Sequence, residues 1–361
     1  MSFARRLPHI DALKALAAQA IVLHHLLSYG PIARAAHAAL PTLAGLLHQH
    51  GRLAVQVFLV IGGYLSARGL APRAGALTAP LPQLLWRRYL RLALPFMAAV
   101  GLVLVVSAAV EPWLPDLVPE SVSGTQLLAH ALLLHGLLGH ESLTAGAWYV
   151  AIDFQLFALL ALMLAGAHRL PVRWRRQAGL AGVAALVLAS AWCFNRIAEL
   201  DHLAVYFFAA YGLGALVHWL GQWRHGRFTL PLLLALLVAA LVVDFRSRLA
   251  LAVATAALLA LAQTHPWQPG DALAERLNRL GRESYALFLL HFPVLLVANA
   301  LIAAIAGPDA VGLAAVALLA SWWLSNRIAG PFHRWVEAPA ARFDPMRSGS
   351  SAAAALGLRR A

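Results

Sequence analysis

The sequence predicts an all-α polytopic integral membrane protein, a bundle of about ten transmembrane helices with one short re-entrant or interfacial segment. Three observations predict it. Of the 361 residues 61% are hydrophobic and only 12% are charged, whereas a water-soluble domain has about a quarter of its residues charged. Apolar runs of the roughly 17 to 25 residues that a helix needs to cross a hydrocarbon core recur along nearly the whole length. Arginines gather in the short stretches between those runs, as expected of loops that face a cytoplasm.

Arg5 and Arg6 precede the first run, Ile10 to Tyr29. It is too long for the apolar part of a signal peptide and lacks a small-residue cleavage site, so it reads as a retained first span. The further spans are Leu53 to Leu70, Leu92 to Val110, Trp148 to Ala167, Ala178 to Phe194, Leu203 to Leu220, Leu230 to Val243, Leu249 to Thr264, Ser284 to Ala306 and Val311 to Arg327. Gln126 to Leu138 has 13 residues and two histidines, which is too short for a crossing. With ten spans and the N-terminus inside, the arginines of 68–91, 169–176 and 224–227 and those of the C-terminal tail fall on the cytoplasmic side. The acidic loop of Glu111, Asp116 and Glu120 falls outside. Counting Gln126 to Leu138 as a crossing would place the Arg169 to Arg176 cluster outside, against the positive-inside rule. Residues 1–347 therefore form one transmembrane domain with both termini cytoplasmic, and the small, basic stretch 348–361 is expected to be a disordered tail.

In a soluble protein the formal net charge of +13 would suggest nucleic acid. Here it is an orientation signal, the expected partner is the lipid bilayer, and no nucleic acid is expected. Cys193 is the sole cysteine and the sixteen histidines show no metal-binding spacing, so no disulfide within the chain and no metal are expected.

Ionisable groups inside a span are costly, and each marks a candidate site. The first span holds Asp11, Lys14, His24 and His25. Lys14 and His25 are 11 residues apart, which returns them to within roughly 20° of one helical face, about 16 Å apart along the axis. A cation near the membrane surface and a histidine deeper on one stripe suit a ligand with an anionic head and a long thin arm. Coenzyme A has that shape, and histidine is the natural base for a hydroxyl that attacks a thioester. A snorkelling lysine and a packing histidine fit the same spacing. Arg88 and Arg91, one turn apart where the third span begins, can grip phosphate or serve as positive-inside charges. Asp153, in the fourth span, can orient the His25 imidazole or pair with a nearby arginine. His291 can line a donor channel or hydrogen-bond across helices, of which the structural role is the preferred reading, and His130 and His135 read as facing either an acceptor or the headgroups.

Several blocks in this order resemble the acyltransferase 3 family of membrane O-acyltransferases, which includes bacterial O-antigen and exopolysaccharide acetylases. Asp11-Ala12-Leu13-Lys14-Ala15-Leu16-Ala17 followed by His25 is similar to the family's Asp-Gly-Leu-Arg-Ala-Leu-Ala opening and its histidine. Phe58-Leu59-Val60-Ile61-Gly62-Gly63-Tyr64-Leu65 resembles Phe-Phe-Val-Ile-Ser-Gly-Tyr-Leu, Arg88-Tyr89-Leu90-Arg91 resembles Arg-x-x-Arg, and Trp148 to Asp153 resembles Trp-x-Leu-x-x-Glu. Leu290-His291-Phe292-Pro293 and Phe332 to Pro339 complete the set. The chain departs at three positions, with Lys14 for arginine, Gly62 for serine and Asp153 for glutamate.

The resemblance implies an O-acyltransferase of the bacterial cytoplasmic (inner) membrane. Its donor would be acetyl-CoA or another acyl-CoA from the cytoplasm. Its acceptor would be a hydroxyl on a cell-surface or exported glycan or on a lipid-linked sugar precursor, with glycan-assembly proteins as further partners. It implies a catalytic role for His25 and donor contacts from Lys14, Arg88 and Arg91. The competing class is a transporter or flippase, whose intramembrane charges would line a path for a glycan or acyl intermediate.

Overall fold

The computed structural model describes residues 7–305 and 311–343. The expected tail, 348–361, lies outside the described residues, as does Ala306 at the end of the expected ninth span. Hydrocarbon offers backbone N–H and C=O groups no partner, so apolar segments must bond internally. Accordingly the described residues form helices and no strand. In chain order these are α1 (Pro8–Leu26), α2 (Gly30–Ala39), α3 (Pro41–His50), α4 (Val55–Leu70), α5 (Leu81–Val110), α6 (Gly124–Ala131) and α7 (Ala147–His168). They continue with α8 (Val172–Trp192), α9 (Ala204–Leu220), α10 (Gly226–Val243), α11 (Ser247–Thr264), α12 (Asp271–Ile305) and α13 (Val311–Phe332). A π-helical turn, His333–Glu337, leads into α14 (Ala338–Arg342).

Among the described residues, eight helical segments are long and apolar enough to cross a membrane; α1 and α2 pass only together, as a pair bent by 95°, and α9 is a shorter apolar helix. Each of the ten expected spans falls on one of these. The protein is an integral membrane helix bundle.

The expected boundaries are too narrow at several ends. The third span starts at Leu81 rather than Leu92, and the second is the distal half of a continuous segment, Pro41–Leu70. An apolar run marks only the part of a helix immersed in lipid. Helical bonding continues through Arg87, Arg88 and Arg91, so the 30 residues of α5 extend about 45 Å, beyond a core of about 30 Å. In the opposite sense, Gln126–Leu138 contains most of the eight-residue α6, from Gln126 to Ala131, and then turns. Eight residues extend about 12 Å and cannot cross.

Small residues set how closely the helices approach, as in other membrane bundles. A Cβ on Gly63 would lie 1.8 Å from the Tyr211 carbonyl oxygen, and one on Gly214 would lie 1.9 Å from that of Val60. Glycine at both positions lets the α4 and α9 backbones touch. Similarly, Gly281 on α12 lies where any Cβ would collide with Asp11 on α1.

The bend after α1 is held from α12. Gly30 has φ +75°, and the Asn299 side chain fills the place of its missing Cβ. Asn299 Oδ1 accepts from Ile32 N–H at 2.9 Å, while its Nδ2 donates to the Tyr29 and Leu295 carbonyls. One side chain therefore satisfies backbone groups left open by the break. His25 sits in the last turn before that break.

Candidate active site

His25 is placed by the end of α1, and α12 brings His291 beside it. His291 Nε2 lies 2.7 Å from His25 Nδ1, with the rings near-parallel and their centroids 4.8 Å apart. His291 is fully buried. This hydrogen bond occupies one nitrogen of His25 and leaves Nε2 to face a ligand.

His25 lines a cavity of about 660 Å³. Its polar and charged lining includes Arg52, Asp116, Glu141, Gln155, Asp201 and Arg248, and the aromatic Trp148 and Phe207 stand at one wall with ring centroids 5.7 Å apart. Hydroxyl-rich ligands are held by this combination of hydrogen-bonding side chains and apolar ring faces.

A second cavity, of about 390 Å³, is lined by Lys14, Arg87, Arg88 and Arg91. Phe58, Leu65, Leu70 and Leu84 supply apolar wall, and the carboxylates of Asp153 and Glu337 also reach the lining. Arg88 Nη2 and Asp153 Oδ2 form an ion pair, and the Arg88 guanidinium lies over the Phe157 ring, 5.2 Å from its centroid. Arg88 Nε is buried without a partner. A phosphate-bearing ligand with a slender apolar arm fits this lining, because it would meet four cationic side chains beside an apolar wall.

Gly62 lies against this pair. A Cβ there would stand 3.2 Å from the Tyr211 ring and 3.5 Å from Asp153 Oδ1. Tyr211 also hydrogen-bonds Ser66 at 2.7 Å, so an aromatic ring and a neighbouring serine occupy the space beside the glycine.

Lys14, Arg88, Arg91 and Asp153 thus come together in one cavity, and His25 lies in the other. No hydrogen bond joins Asp153 to His25 among the described residues; Asp153 holds Arg88, one of the two roles its position left open. His291 is the group that touches His25. It was legible as a histidine within a span, but its partner is 266 positions away. Arg87 was read as a loop charge and lines the cationic cavity. Phe288, which lines both cavities, carried no signal, since one phenylalanine in an apolar run resembles any other. Among the described residues no group of three or more His, Cys, Asp or Glu is arranged to hold a metal ion.

The sequence profile of the acyltransferase 3 family, described as an acyltransferase domain, matches residues 7–326. The chain belongs to this family. It is a membrane acyltransferase, and the match spans nearly all of it. Comparison of this acyltransferase with curated proteins and with solved structures finds no significant match to either.

Proposed function

We propose that this acyltransferase moves an acetyl group from cytoplasmic acetyl-CoA to a hydroxyl of a cell-surface or exported glycan, or of its lipid-linked precursor. The observation that carries the reading is the division of labour between the cavities. Four cations line one, and a histidine held through Nδ1 lines the other. Lys14, Arg87, Arg88 and Arg91 hold the CoA phosphates, Asp153 fixes Arg88, and the pantetheine arm carries the thioester toward His25. The sugar enters the larger cavity. The arginine distribution supports both termini being cytoplasmic, in the inner membrane of a bacterium.

The chemistry requires one tautomer. His25 acts as base through Nε2 only if its neutral ring carries the proton on Nδ1, donated to His291 Nε2. His25 Nε2 takes the proton of the acceptor hydroxyl as that oxygen bonds to the thioester carbonyl carbon. The carbon–sulfur bond then breaks, and the imidazolium returns the proton to the departing sulfur. His291 accepts the Nδ1–H bond throughout and keeps the ring aligned. The products are an acyl ester and free CoA.

The test compares glycan-linked acyl content in the native host with wild type or His25→Ala at matched membrane expression, together with acetyl-CoA hydrolysis by the purified protein. Loss of both ester and hydrolysis supports the reading. Survival of both makes His25 structural and removes the mechanism.

A further inference from the structure

Two residues, Tyr149 on α7 and Phe288 on α12, line both cavities. Among the described lining residues no other is shared. Their rings meet edge to face with centroids 5.3 Å apart, and Phe58 extends the cluster against Tyr149 at 6.2 Å. Phe288 is also tilted against His291, with centroids 6.1 Å apart, so it adjoins the catalytic pair. It has little room to swing aside. Gly146, at φ +84°, lies so close that a Cβ there would stand 2.5 Å from Phe288 Cζ. Lys14 lines only the cationic cavity and His25 only the other, although both belong to α1. A donor anchored at Lys14 therefore meets these two rings before its thioester reaches His25.

We infer that the Tyr149–Phe288 ring pair is the acyl-size filter of the enzyme, admitting a two-carbon acyl group to His25 and refusing longer ones. The inference rests on the acyl-CoA reading above. The pantetheine arm must itself pass the ring edges, so selection acts where the acyl group comes to rest, against Phe288 beside the His25–His291 pair. Each further methylene must displace Phe288 against the Gly146 backbone or Tyr149 against Phe58, and close-packed interiors resist added volume. Replacing Phe288 by a smaller residue makes room there and leaves the cationic side chains that hold the donor head in place.

The experiment measures free-thiol release from acetyl-, butyryl- and hexanoyl-CoA by purified wild type, Phe288→Ala, Phe288→Leu and Tyr149→Leu, with CoA binding measured calorimetrically on each. The readout is the butyryl-to-acetyl rate ratio within one preparation, which does not depend on the fraction of protein that is folded. Wild type is expected to favour acetyl. The ratio should rise by about tenfold or more in Phe288→Ala, the scale of discrimination by a methylene-sized difference in a pocket. Phe288→Leu and Tyr149→Leu should give smaller rises, and they carry the test where Phe288→Ala does not fold. An unchanged ratio in the variants that bind CoA overturns the filter and leaves the donor reading standing, as does a wild type that cleaves butyryl- as fast as acetyl-CoA. Absence of CoA binding by wild type removes the donor reading and the filter with it.

Discussion

His291 Nε2 lies 2.7 Å from His25 Nδ1, and the two imidazole planes are 9° apart. A neutral imidazole fixes the tautomer of its neighbour as a carboxylate would, yet brings no opposite charge to stabilise the imidazolium. Asp153, the carboxylate that could have taken that part, is committed to Arg88.

Removing the two histidines should therefore have different costs. His25→Ala is expected to lower turnover on the order of 10²- to 10⁴-fold, the usual contribution of a general base. His291→Phe, which fills the volume without the acceptor nitrogen, should lower kcat on the order of 10- to 100-fold with little change in KM, as orienting partners generally do. His291→Gln, which restores an acceptor, should recover part of the loss. Rates of acetyl-CoA hydrolysis by equal amounts of membrane-inserted protein decide it; a kcat for His291→Phe equal to wild type would leave His291 no positioning role.

The Arg88–Asp153 pair predicts a stability asymmetry. The Asp153 side chain is 4% exposed and that of Arg88 18%. Asp153→Ala leaves a largely buried guanidinium uncompensated and should destabilise by about 3–5 kcal/mol. The double variant Arg88→Met/Asp153→Leu should regain most of that stability while losing donor binding. Thermal unfolding in detergent and CoA titration separate the two effects.

The α4–α9 contact predicts sharp intolerance at its glycines. With the Tyr211 carbonyl oxygen 1.8 Å from where its Cβ would stand, Gly63→Ala must force the helices apart, costing at least about 1–3 kcal/mol. Gly101→Ala, in α5 with nothing within 4 Å of the added carbon, should be neutral or slightly stabilising by helix propensity. Melting temperatures of the two variants against wild type check the contrast.

Outside the spanning segments, His130 and His135 predict an acid-sensitive fold. Their rings stack 4.2 Å apart. His130 Nδ1 donates to the Gln126 carbonyl while its Nε2 accepts from Leu143 N–H, so protonating Nε2 would set two donors against each other. Burial, followed by the neighbouring His130 and His140, pushes His135 down from 6.5 to about 4, and burial also lowers His130. The unfolded chain therefore binds more protons than the folded one. Stability is full above about 6.5 and declines as pH falls toward 4. Unfolding midpoints should drop between pH 7.5 and pH 5, and the slope should flatten in His135→Phe.

The sequence by itself determined the class of the protein and whatever lies along a single helix. Apolar runs longer than a bilayer core must be helical, because unpaired backbone groups cannot remain in hydrocarbon. The Lys14–His25 spacing needed nothing beyond the pitch of a helix, and the ordered motif blocks pointed to the family. Only the tertiary structure decided what each side chain meets. It paired His25 with His291 and Asp153 with Arg88, put the cations and His25 in different cavities, and made Tyr149 and Phe288 part of the lining of both. The reason is physical. These contacts cross between helices far apart in the chain, and the crossings follow from small-residue packing at positions such as Gly63, Gly214 and Gly281. Lipid is as apolar as the helix faces it covers, so no hydrophobic periodicity in the sequence reports which face meets which partner.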